Sequence, residues 1–77
     1  MRFDIKTLTE HVIDAYKLSM EYIDLGKREI ALIQYGRGEA YINVLSMIVG
    51  NVHDFNSEIT TLHDKAWIKL HARRNEV

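Results

Sequence analysis

The sequence predicts an all-α protein, a long antiparallel helical hairpin that dimerises into a four-helix bundle. Three observations carry that expectation. The 77 residues contain no proline, the residue that breaks a helix at a cost of about 3 kcal/mol, so only glycine can punctuate the chain. Tyr41, Leu45, Ile48, Val52, Phe55, Ile59, Leu62 and Ala66 recur in alternating steps of four and three, the heptad spacing of a helix supercoiled gently against a neighbour. Finally, more apolar residues are present than one seam per helix can bury.

Taken in order, Met1, Phe3 and Ile5 alternate with Arg2, Asp4 and Lys6. The alternation is that of a strand, but a lone strand needs another edge to satisfy its backbone, so fraying or continuation of a helix is favoured. Thr7-Leu8-Thr9-Glu10 fits a capping box and places the start of helix one at residue 7. Leu8, Val12, Tyr16, Ile23 and Ile30 then share one face with the small residues Ala15, Ser19 and Gly26. Gly26 is expected to lie inside this helix beneath a large side chain of helix two; a break there, splitting helix one in two, is the competing reading. Gly36-Arg37-Gly38 is the one tripeptide with two glycines, which assigns the hairpin turn to residues 36–38. Helix one thus covers about 7–35 and helix two about 39–73, the latter roughly 50 Å long, in a single domain spanning 1–77.

Composition narrows the function. Ten Lys and Arg against eleven Asp and Glu leave a net charge of −1, so no global field draws the chain to nucleic acid or membrane. Cysteine is absent, which removes disulfides and thiolate metal sites. A chain this short buries only about 60% of its unfolded surface, and self-association is the remaining way to enlarge the core. No apolar run approaches bilayer length and no secretory leader pattern opens the chain, so a cytoplasmic setting is expected. The surplus apolar residues define a partner or dimer surface: Leu18, Tyr22, Leu25 and Leu32 on helix one, and Ile42, Val44, Met47 and Val49 on helix two. Trp67, the single tryptophan, is a further candidate anchor.

Residues suited to chemistry do not assemble into a known constellation. Of His11, His53, His63 and His71, only His11 has a carboxylate, Asp14, at metal-ligand spacing on a helix, so the histidines read as solvated and no metal or cofactor is expected. Glu21 and Asp24 form one carboxylate pair of the kind that holds magnesium in all-α nucleotide pyrophosphohydrolases, but a second facing pair is missing, and Asp24 is expected to pair with Arg28 instead. Ser19, Ser46 and Ser57 lie in helical stretches rather than on a strained turn. Catalytic residues are therefore not expected. At the carboxyl end Lys65, Lys69 and Arg73 recur every four residues, with His71 and Arg74 beside them. These cations either complement the helix terminus and meet Asp4, Glu10 and Asp14, or form an anion or nucleic-acid contact with Trp67 as a stacking face.

The hairpin architecture and the run Leu62-His63-Asp64-Lys65-Ala66 resemble the plasmid Rop hairpins. That resemblance implies a dimeric four-helix bundle that binds RNA; this chain is longer, and no residue's role is carried over from the family. The leading expectation is a small non-enzymatic interaction protein, a regulator or inhibitor that binds a partner protein through helical surfaces and forms a homodimer. A dimeric nucleic-acid-binding bundle is the alternative, and an all-α metal-dependent nucleotide hydrolase the third.

Overall fold

The computed structural model describes residues 4–72. Its elements are α1 (Ile5–Asp24), α2 (Arg28–Val49), the single turn α3 (Val52–Phe55) and α4 (Ser57–Ala72), with no strand among the described residues. The chain is all-α and its first two helices pack as a hairpin, but the reversals fall where they were not expected.

The start of α1 is set by Asp4 rather than by Thr7. The Asp4 carboxylate accepts from the Thr7 amide at 2.7 Å, satisfying one of the helix's free N–H groups, and that bond holds the Asp4 carboxyl below the usual carboxylate range. Ile5 and Lys6 are already helical, so the alternating pattern is no strand there; residues 1–3 lie outside the described residues.

Gly26 ends α1. Its φ of +78° allows a Schellman closure, in which the Lys27 amide donates to the Tyr22 carbonyl at 2.8 Å and the Gly26 amide to that of Ile23 at 3.0 Å. The break reading of Gly26 is therefore the correct one, and helix one does not continue to residue 35. A second reversal follows at Gly50, with φ +83° and ψ −119°, a conformation essentially confined to glycine. Asn51 then caps α3 by accepting from the His53 and Asp54 amides at 3.0 and 3.3 Å, and Asn56 accepts from the Glu58 amide at 2.9 Å at the start of α4. Two asparagine caps within six residues divide the expected helix two.

Gly36-Arg37-Gly38, expected as the turn, lies in the middle of α2. Gly38 serves packing instead. A Cβ at this position would come within 2.8 Å of Tyr16 Cε1, so the missing side chain lets the tyrosine ring cross directly over the α2 backbone. Glycine's helix penalty of about 1 kcal/mol is offset by the full burial of Tyr16.

The core joins Leu8, Val12 and Tyr16 of α1 with Leu45 of α2, Val52 of α3, and Ile59 and Ala66 of α4. α1 and α2 run antiparallel, and α4 returns alongside α1. Its carboxyl end therefore meets the α1–α2 turn: Lys69 pairs with Asp24 at 2.6 Å, and Arg28 Nη2 donates to the Leu70 carbonyl at 2.9 Å. The expected Asp24–Arg28 pair is replaced by these two bonds. Asp4, Glu10 and Asp14 belong to the opposite half of α1 and do not receive the α4 cations. No helix among the described residues is long and apolar enough to cross a membrane.

Candidate interaction site

α2 has one face turned to the core and one turned away. Ala31, Gly38 and Leu45 are buried, and Ile42 and Val49 pack against the core from its flanks. At 100° per residue the opposite side is centred on Ala40, with Ile33, Gly36, Val44 and Met47 around it and Leu32, Ile30 and Ile48 at the margins. All of these residues are exposed. Met47 is the extreme case at 84% exposure, and Ile33 follows at 63%. Two charges lie on this face: exposed Glu29 at its amino end, near the centre line, and Arg37 on its flank, which donates to Gln34 Oε1 at 2.7 Å and lies over the Tyr41 ring. The remaining central charge of the helix, Glu39, turns toward α4. The outward side of α2 is thus rich in exposed apolar residues, while only its other side is covered by this chain.

Of the expected surface residues, Leu25, Leu32, Val44, Met47 and Trp67 are exposed. Leu18 and Tyr22 are half-buried on α1. Ile42 and Val49 belong to the margin of the core, a correction that follows from moving the turn: once α2 begins at residue 28, its inward arc passes through these two positions. The exposed leucines also separate, because Leu25 lies on the turn and Leu32 on a helix of opposite direction, so their spacing of seven does not make a stripe. Ile33, Gly36 and Ala40 were missed as surface residues. Their signal was present in Ile33, Ala40 and Met47 at intervals of seven, but assigning Gly36 to a loop hid it.

A second cluster joins three helices through polar groups. Tyr16 Oη donates to Glu39 Oε2 at 3.2 Å; His63 Nε2 lies 3.0 Å from the same oxygen and 2.9 Å from Tyr35 Oη; His63 Nδ1 faces Asp64 at 3.2 Å. The His63 ring thus lies within hydrogen-bond distance of both carboxylates. Burial beside the Glu39 carboxylate pushes the Tyr35 hydroxyl up to about 12, and burial pushes Tyr16 up further. These groups engage one another across α1, α2 and α4, an arrangement that locks the register of the bundle. His63 was expected to be solvated and is instead half-buried in this network. His53 bonds to Thr60 at 2.7 Å, and His11 stacks on Tyr41 with ring centroids 5.1 Å apart. Among the described residues no three His, Asp or Glu side chains gather as a metal site.

At the other end of the molecule a recess of about 650 Å³ is lined by Ile23, Asp24, Gly26, Arg28, Lys69 and Leu70, together with Ala72. Lys69 pairs with Asp24, and Arg28 Nη2 donates to the Leu70 carbonyl while its Nε is buried without a hydrogen-bond partner among the described residues. The cationic stripe is therefore divided: Lys65 is exposed, Lys69 is paired, His71 lies against Trp67 with centroids 4.1 Å apart, and Arg73 and Arg74 lie outside the described residues. Trp67 is half-exposed beside Ile68; its inner edge faces Tyr35.

Comparison with protein-family models, curated proteins and solved structures finds no match.

Proposed function

We propose that the chain is a non-enzymatic interaction module that docks through the outward face of α2. The observation that carries this reading is the uncovered apolar side of a helix whose other side is core. Exposed apolar residues scattered singly are ordinary, whereas a contiguous set along several turns of one helix marks a contact surface. The half-exposed pair Trp67 and Ile68 on α4 provides a smaller accessory anchor.

A double substitution tests the reading. Ile33→Glu with Met47→Glu changes two side chains that are largely in solvent, so the helical circular-dichroism signal and melting temperature should stay within the ordinary range for surface changes, about 0.5 kcal/mol. Association with any protein, followed by sedimentation of the purified chain and of the chain in extract of its host, should be lost. A wild-type chain that sediments alone in both settings contradicts the proposal.

A further inference from the structure

We infer that the chain from α2 to α4 straightens into one helix and that two copies then exchange their α4 segments, each closing over the α1–α2 hairpin of the other. The exchange uses the inward side of α2, so it stands independently of the docking face proposed above.

Three features carry the inference. Between Arg28 and Ala72 only Gly50, Asn51 and Asn56 are not helical, and none of them is proline, so nothing at the reversal forbids helical dihedrals. The buried residues Ala31, Gly38, Leu45, Val52, Ile59 and Ala66 fall at strict intervals of seven through both interruptions. A chain that only folds back has no need to keep the phase of α2 in α4, because each helix is free to rotate to suit its own neighbours. One straight helix needs that phase to present a single inward line. Finally, α4 runs antiparallel to α2 in constant register: Tyr35 faces Trp67 and Glu39 faces His63, two pairs that are both centred on Asn51.

Two straight helices laid antiparallel, with a two-fold axis at Asn51, therefore make both pairs twice, each between copies. Ile59 and Ala66 of one copy join the Leu8, Val12 and Tyr16 cluster of the other, as they now join their own. The carboxyl end of α4 likewise reaches Asp24 and Arg28 of the other copy through the bonds it already makes within one chain. Only a second copy presents this surface, which fixes the occupant. Straightening gives up the caps made by Asn51 and Asn56 and gains the helical hydrogen bonds that the reversal interrupts. With the core contacts conserved, the balance between one copy and two lies in the three hinge residues and in chain concentration.

Gly50→Ala tests the inference. At φ +83° and ψ −119° any side chain is strained, whereas alanine favours a continuous helix, so the substitution should shift the equilibrium toward the dimer by about tenfold or more, read by light scattering across a dilution series. Inserting a flexible Gly-Ser segment after Asn51 should return the variant to monomer. Cross-linking separates exchange from side-by-side association, the native chain being free of cysteine. Asp24→Cys chains and Lys69→Cys chains, both carrying Gly50→Ala and refolded together, should be joined by a short bismaleimide. A folded, monomeric Gly50→Ala chain overturns the inference, and so does a dimer that the reagent leaves unjoined. If Gly50→Ala does not fold, the two single-cysteine chains in the wild-type background, refolded together from urea at millimolar concentration, decide the matter: joined dimers support the exchange, and monomers alone overturn it. Ile33→Glu with Met47→Glu should leave the Gly50→Ala dimer intact; its dissociation would assign the contact to the outward face of α2 and overturn the exchange without touching the docking reading.

Discussion

At the scale of single residues, identical chemistry has opposite uses in this chain. Gly26 takes positive φ and ends a helix, whereas Gly38 keeps helical geometry and makes room for Tyr16. Sequence spacing does not distinguish them, because the demand on Gly38 comes from a ring located on another helix. Gly38→Ala should lower stability by about 1–2 kcal/mol despite alanine's better helix propensity, since the rigid, fully buried ring cannot yield without displacing the core; urea denaturation measures it, and a stabilised variant would contradict the packing role. The tyrosine cluster has a pH signature. Below pH 10 both folded and unfolded chains keep the Tyr35 proton, so its contribution is complete; between 10 and about 12 the unfolded chain releases that proton first and stability falls. Tyr35→Phe should flatten the decline of the urea midpoint over that interval. Nothing in local spacing announces Tyr16, Tyr35, Glu39 and His63 as one cluster, because its members come from three helices.

At the scale of elements, the heptad was a true observation attached to the wrong object. Leu45, Val52, Ile59 and Ala66, successive residues at intervals of seven, are all buried, yet they belong to three different helices. A seven-residue repeat reports how often the chain faces inward. It does not require an unbroken helix, and the intervening Ile48 and Phe55, which a continuous seam would bury, are exposed. The break signals were legible in Gly50-Asn51 and Asn56-Ser57, a positive-φ residue and two side chains that cap helices well, but the periodicity outweighed them. Asn51→Ala removes the acceptor of two amides and should cost about 1 kcal/mol. Hydrogen exchange should show the loss as faster exchange at His53 and Asp54; unchanged protection there would remove the cap from the account.

For the whole molecule, a chain of 77 residues commands only about 4–12 kcal/mol of folding free energy, and the central cluster of its core joins seven buried side chains among the described residues. Ile59, fully buried where α4 meets the rest of the core, is expected to show this thinness. Ile59→Ala should remove about 2–5 kcal/mol, enough to make the helical signal melt near ambient temperature, whereas Asp24→Asn at the exposed pair with Lys69 should change stability by less than about 1 kcal/mol. Comparable losses from the two substitutions would mean that stability resides in the surface network rather than in the core.

The sequence by itself determined the helical class, the absence of disulfides, the inward positions at intervals of seven, and a surplus of apolar surface. Each is set by composition or by the geometry of one helix, which local spacing encodes. The tertiary structure decided where the chain reverses, which glycine is a turn and which a packing notch, and which side of α2 is left uncovered. Those depend on what other helices place against a residue: Tyr16 makes Gly38 part of the interior, and the core cluster covers Ile42 and Val49 on one side while Met47 remains exposed on the other.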